Sequence, residues 1–224
     1  MRLFVSVIAL AVVLGYVFGG RLSRLERLPL RWWGLAIAGL GIQFLPLPEG
    51  GIGTDLLVRT GVLALSYAFL LVFALVNVRL PGMPLIVVGL ACNGLVIVAN
   101  GGMPVSEEAL DDSGQASVIR LLVNEGADKH HLMSDEDVLT FLADVIAVPG
   151  PIHQVMSVGD VLVYVGLIWL TVAAMRGRTP SSSSGLMRFR GKHRRGEAIA
   201  AAVVLELPPP PEPPPVATRW GSEP

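Results

Sequence analysis

From Thr60 to Val78 the chain carries no charged residue, and four other stretches come close to that. The five apolar runs cover residues 3–20, 32–47, 56–78, 84–99 and 158–175. Crossing a bilayer as a helix takes about 20 mostly apolar residues, with a lower limit near 17. The first, third and fifth runs meet that length, whereas the second and fourth are short and lean on their flanks. A water-soluble domain averages roughly 25% charged residues, and this chain has 16% against 52% hydrophobic. Much of its surface therefore faces lipid. Trp32, Trp33, Trp169 and Tyr16 lie near run ends, where amphipathic rings sit at head-group level. The expected fold is all-α: a polytopic membrane bundle of about five transmembrane helices.

Basic residues orient the bundle. Arg21, Arg24, Arg27 and Arg31 follow the first run, Arg79 lies between the third and fourth, and eight Arg and Lys follow the fifth. Only Arg2, Arg59, Arg120 and Lys129 fall on the other side. Positive charge collects in the cytoplasm, so the expected topology is a cell-membrane protein with its N-terminus outside and its C-terminus inside. The first run is read as a retained helix because one Arg precedes it, four follow it, and no A-x-A cleavage site lies at its end.

Residues 1–176 then form a five-span domain, and residues 100–157 its extracytoplasmic loop. The loop is expected to contain short helices, one in ASVIRLLVNEG and a re-entrant or interfacial one in VLTFLADVIAVP, which is too short to span. Residues 177–224 read as a disordered cytoplasmic tail with a serine linker, the basic cluster MRFRGKHRR and the polyproline run LPPPPEPPP. The lipid bilayer is the expected partner, with anionic lipid contacting the basic cluster, and no nucleic acid. No cofactor is expected. Cys92 is the single cysteine, and no Cys/His spacing suggests a metal site. Gly34, Gly39 and Gly41 in the second run, with Gly89 and Gly94 in the fourth, offer small faces for close helix contact.

Two acidic residues stand out in apolar surroundings. Ser157-Val-Gly-Asp160 opens the fifth run, and S-x-x-D before an apolar run is a capping box. Ser157 would accept the Asp160 backbone N–H, and Asp160 would accept that of Ser157. The same geometry leaves a partly desolvated carboxyl at the membrane boundary, suited to acid–base work or ligand contact. Asp144 lies within FLADVI with no local cap to account for it. A chain reversal at Val148-Pro-Gly-Pro151 would bring it towards Asp160, where two neighbouring carboxyls cannot both ionise readily. Asn100, Gly101, Gly102 and Pro104 read as a helix C-cap followed by a stop, or as a backbone donor site. His130 lies in a charged loop, His153 lies between the two aspartates within reach of Asp160, and Asn93 reads as a hydrogen-bond donor between helices.

In order along the chain, the NGGMPV turn, the KHH loop, the TFLADVI segment and the VMSVGD helix start resemble an uncharacterised bacterial family of small multipass membrane proteins, a domain of unknown function. The resemblance covers roughly residues 1–176. It implies membership without an activity, and draws attention to Asn100, Gly101, Gly102, Pro104, His130, Asp144, Ser157, Gly159 and Asp160. The last helix start is also similar, in position and carboxylate, to the F-N-x-A-D motif of lipoprotein signal peptidases. Here Ser157 stands in place of the asparagine and Gly159 in place of the alanine, and the G-N-x-x-D-R motif of the partner aspartate is absent.

Three function classes follow. The first is a membrane module with a polar extracytoplasmic site around Asp144 and Asp160. The second is a membrane-embedded aspartic-type hydrolase related to lipoprotein signal peptidase, with Asp160 as one catalytic carboxyl and Asp144 as the further candidate. The third is a transporter subunit, disfavoured because no charged residue lies deep within the first four runs.

Overall fold

The computed structural model describes residues 2–45, 54–124 and 129–179. The expectations for the tail beyond residue 179, its disorder and its lipid contacts, lie outside the described residues. The described chain is mostly helical: α1 (Arg2–Val17), α2 (Trp33–Ile42), α3 (Thr54–Val76), α4 (Met83–Asn100), α5 (Glu107–Asp112), α6 (Ala116–Asn124) and α7 (Val158–Met175). Short strands interrupt the segment between α4 and α7: β1 (Met103–Val105), β2 (His130–Leu132), β3 (Ile146–Val148) and β4 (Gln154–Met156).

Among the described residues, α3, α4 and α7 are long and apolar enough to cross a membrane. At 1.5 Å per residue, eighteen residues give roughly 27 Å, close to the ~30 Å hydrocarbon thickness. The other two apolar runs form shorter helices, α1 with 16 residues and α2 with 10.

Glycine lets α4 and α7 approach closely. A Cβ on Gly89 would run into the Gly159 carbonyl oxygen, and one on Gly166 would lie 2.6 Å from that of Gly82. Both contacts meet backbone, which cannot swing aside. The two glycines are seven apart on each helix, so both fall on one face, as small-residue packing in membranes requires. Gly39 similarly seats α2 on α3, where Ser66 Oγ donates to its carbonyl at 2.8 Å. Gly94 makes ordinary contact with Tyr67, whereas a Cβ on Gly34 or Gly41 would meet nothing within 4 Å among the described residues. Of the five glycines expected at helix contacts, those two are the exceptions.

The arginine-rich ends converge. A 3₁₀ turn (Leu22–Arg27) follows α1. Arg21 N donates to the Met175 carbonyl at 2.8 Å, and Arg24 Nη1 to the same oxygen at 3.3 Å. A guanidinium on the last carbonyls of α7 also complements the negative end of the helix dipole. The Asn77 side chain, buried between α3 and α4, pairs with the Arg31 backbone, accepting from its N at 2.9 Å and donating to its O at 2.8 Å. Here the apolar core is Ala74, Leu80, Met83 and Leu170.

At the other end the segment between α4 and α7 folds back on the bundle. The all-α expectation is corrected there. β1 pairs in parallel with β2, and β3 pairs antiparallel with β4. The helix expected in Val138–Pro149 is replaced by a single 3₁₀ turn at Thr140–Leu142 and strand β3. Leu139 has a left-handed backbone (φ 57°), and the following Val145, Ile146 and Val148 are β-branched, a composition that favours strand over helix. Helix α6 forms where a short helix is expected, and Val118 and Leu122 join Val105, Leu110 and Val155 in a small core of the insert's own.

Candidate functional site

Asp160 is held by its own helix start. Ser157 Oγ accepts from Asp160 N at 2.9 Å, and Ser157 N donates to Asp160 Oδ2 at 3.4 Å, completing the capping box. Asn93 on α4 extends it: Nδ2 donates to Asp160 Oδ1 at 2.7 Å, and Oδ1 accepts the Ser157 hydroxyl at 2.9 Å. Asn93 is 3% exposed and Ser157 fully buried. The expectation of Asn93 as a donor between helices is met. Gly159 has no room for a side chain, since a Cβ there would run into Asn93 Oδ1.

Asp144 is positioned by the backbone of β1. On one edge of that strand Met103 N donates to the Lys129 carbonyl at 2.8 Å, and Met133 N to that of Val105 at 2.9 Å. On the other edge Asp144 N donates to the Pro104 carbonyl and accepts from Ser106 N through its own carbonyl, each at 3.0 Å. Pro104 has no N–H to offer, and the side its nitrogen faces asks for none until Ser106. Residues of β2 and Asp144 therefore flank one central strand. Asn100 anchors the entry, donating to the Val96 and Val138 carbonyls and accepting from Val138 N. Gly101, with φ 71°, is the C-cap of α4. Gly102 packs under His131.

This arrangement brings His130 Nε2 to 3.7 Å from Asp144 Oδ2, beyond hydrogen-bond reach. Among the described residues Asp144 Oδ1 is buried and has no hydrogen-bond partner, and the residue is 7% exposed. Burial first, and then the field of the Asp160 carboxyl, push Asp144 up to about 8. His130 moves the other way, lowered by desolvation and then by the charges of Lys129 and His131. Its ring is about half exposed, which softens the desolvation without changing its sign. At neutral pH the pair is thus a protonated carboxyl beside a neutral imidazole.

Asp144 and Asp160 line one cavity of about 160 Å³, with Tyr67, Asn93, Lys129, His130 and Gln43. Asp144 and His130 also line a neighbouring cavity of about 220 Å³ within the insert, between Val105, Leu110 and Val155. The sequence-derived candidates thus divide. His130, Asp144 and Asp160 meet at the cavity, Ser157 and Gly159 support it from α7, and Asn100, Gly101, Gly102 and Pro104 shape the strand beneath it. His153 belongs elsewhere: its Nδ1 lies 2.8 Å from the Ser113 carbonyl, so the expected reach to Asp160 is not made.

Sequence reasoning missed Tyr67, Gln43 and Lys129. Tyr67 alone left a signal, being a phenol in the middle of a run that is otherwise almost wholly aliphatic or phenyl. A second acid pair was also missed. His131 Nε2 lies 2.8 Å from Asp137 Oδ1, and Ser134 N donates to Asp137 Oδ2 at 2.7 Å. Burial alone would raise the Asp137 carboxyl, but these bonds outweigh it and hold it below its ordinary value. Among the described residues, no group of three or more His, Cys, Asp or Glu is placed to hold a metal ion.

The fold and cavity define a mostly helical protein with three helices able to cross a membrane, capped at one end by a small mixed insert. The chain belongs to DUF5317, a family of unknown function, whose pattern matches residues 27–172. It is 35% identical over 122 residues to an uncharacterized protein of Thermotoga maritima, a match covering 53% of this chain and 67% of that one. No solved structure matches.

Proposed function

We propose that the chain is a five-span membrane protein, N-terminus outside, whose extracytoplasmic insert roofs a small polar ligand-binding cavity with Asp144 as the principal contact. One observation carries the reading: Asp144 is buried with Oδ1 unpartnered, in a cavity it shares with Asp160. Buried polar groups are almost always hydrogen-bonded, and a strongly shifted carboxyl in a cleft is a candidate functional site. The topology is supported by charge, because Arg21, Arg24 and Arg176 gather where α1 and α7 end and Arg31 meets Asn77 between α3 and α4, away from the acidic insert. Helix α2 is the short crossing, prolonged by the turn through Leu45.

An aspartic-type hydrolase is the second reading, favoured by two carboxyls on one cavity. Its difficulty is Asp160, whose two oxygens are already engaged by Asn93 and Ser157. That commitment suits an anchor better than an acid–base group.

Labelling with an apolar carbodiimide, which attacks protonated carboxyls, tests the binding reading on full-length protein in detergent. Modification of Asp144 is expected, slowed by free ethanolamine, glycerol or phosphoethanolamine, and absent in Asp144→Asn. Unprotected labelling with every probe, or none at Asp144, would end the proposal. Hydrolysis of added peptides, lost in Asp160→Asn with unfolding unchanged, would establish the hydrolase instead.

A further inference from the structure

The insert keeps a space within its own small core. Val105 of β1, Leu110 of α5, Val118 and Leu122 of α6 and Val155 of β4 pack together, yet the same five side chains line a cavity of about 220 Å³. Packed interiors hold few voids larger than a water molecule. An apolar cavity of about 150 Å³ stays dry and holds a benzene molecule, so on that scale this one has room for about eight non-hydrogen atoms. Its walls are not wholly apolar. Asp144 and His130 line it as they line the polar cavity, and among the described residues around it they alone titrate.

We infer that the ligand at Asp144 is an uncharged aliphatic molecule with an amide-type head, its chain in the insert cavity and its head on the Asp144 carboxyl. This rests on the binding role proposed above, and names the ligand class and the side from which the carboxyl is met. The space alone would be a packing defect. The second observation is Asp144, 7% exposed, whose Oδ1 has no partner among the described residues. No passage between the two cavities is needed, because Asp144 belongs to the walls of this one. The occupant must hydrogen-bond a buried carboxyl at one end and meet five aliphatic side chains along its length. Charge selects the head. Burial pushes Asp144 up to about 8 and desolvation lowers His130, so at neutral pH the walls offer no charge to pair with a carboxylate or an ammonium. An unpaired charge in apolar surroundings costs far more than a hydrogen-bonded neutral group. A protonated carboxyl carries one O–H donor and spare acceptor capacity, and a primary amide brings the matching acceptor and donor. A plain hydrocarbon would leave Oδ1 unsatisfied.

The test measures binding of radiolabelled hexanamide, hexanoate and hexylammonium to the full-length protein in nanodiscs by equilibrium dialysis, with protein-free nanodiscs as the blank. At pH 7 hexanamide is expected to bind about tenfold more tightly than either charged analogue. Asp144→Asn presents a donor and an acceptor in the same shape and is expected to keep hexanamide within about threefold. Asp144→Leu presents neither and is expected to lose about tenfold. Val118→Phe and Val155→Phe fill the space from α6 and from β4, and each is expected to abolish binding; two positions are used so that one folded variant suffices. Equal binding of hexanamide and either charged analogue overturns the inference. So does undiminished binding in Asp144→Leu, which would make the cavity an unselective apolar void, or in a folded phenylalanine variant. Failure of hexanamide to bind while glycerol still protects Asp144 from carbodiimide sinks the ligand class and leaves the binding role standing, and failure of both sinks the two together.

Discussion

Asn93 on α4 donates to Asp160 on α7 across 2.7 Å and accepts from Ser157 across 2.9 Å, so one amide closes the capping box and joins two helices. Removing it leaves a carboxyl oxygen without its donor and the Ser157 hydroxyl proton without its acceptor in a buried site. Leaving a buried group unsatisfied costs about 1–3 kcal/mol, although hydrogen bonds between membrane helices average nearer ~0.6 kcal/mol because the unfolded chain in lipid also finds partners. Asn93→Ala is therefore expected to destabilise by about 1–2 kcal/mol. Cys92→Ala, one residue away and without these bonds, should stay within about 0.5 kcal/mol. Thermal unfolding in detergent compares them, and equal midpoints would show that the network contributes nothing.

The glycines separate by sign. Gly159→Ala and Gly166→Ala drive a methyl group into the α4 backbone, with carbonyl contacts at 2.7 Å and 2.6 Å. Overpacking of this kind costs about 1–3 kcal/mol. Gly34→Ala and Gly41→Ala meet no atom within 4 Å, and alanine is the better helix former by up to about 1 kcal/mol. The first pair is expected to lower the unfolding midpoint and the second to hold or raise it. Parallel losses at all four positions would mean that close approach is not what the first pair provides.

These features differ in how far the sequence discloses them. The capping box is local, four residues with fixed spacing, and Ser157 and Asp160 could be read directly. The apolar runs likewise give the long helices, since periodicity and length are properties of a single segment. The insert is not local. β1, β2 and Asp144 combine segments nearly thirty and forty residues apart, and strands of three residues carry no alternation to read. That parallel pairing brings His130 to Asp144, and only the fold can supply it. Val138–Pro149 looked helical because its apolar residues are dense, yet its β-branched side chains and the left-handed Leu139 give a turn and a strand. His153 was misplaced for a similar reason: proximity in sequence to Asp160 says nothing about the loop after α5, where its ring lies against Ser113.

Asp144 makes stability depend on pH in a direction unusual for a carboxylate. Its folded pKa, about 8, lies above the ordinary value near 3.9. Below the ordinary value both states hold the proton. As pH rises through the interval the unfolded chain ionises first, so the folded state binds more protons and stability falls with pH. The decline is complete once pH passes the folded value. Asp144→Asn removes this slope without removing the side chain's shape. The variant is expected to match the wild type near pH 4 and to exceed it above pH 8, by about 1–3 kcal/mol, the scale of leaving a buried polar group unsatisfied. Unfolding midpoints measured from pH 4 to 9 check it. A wild type whose stability rises with pH relative to Asp144→Asn would show that the carboxyl is ionised and paired.

The topology proposed above predicts where each segment can be reached. With Cys92 replaced by alanine, single cysteines at His130 and Ser184 report the two sides. His130 is exposed at the rim of the cavity, so a membrane-impermeant maleimide is expected to label His130→Cys in intact cells. Ser184→Cys should react only after permeabilisation. The argument is electrostatic: moving four arginines of the 21–31 segment across the bilayer opposes the bias that holds basic loops in the cytoplasm, and nothing on the acidic insert compensates. Reversed labelling would place the Asp144 cavity in the cytoplasm, on the inner leaflet, and its ligand would have to come from that side.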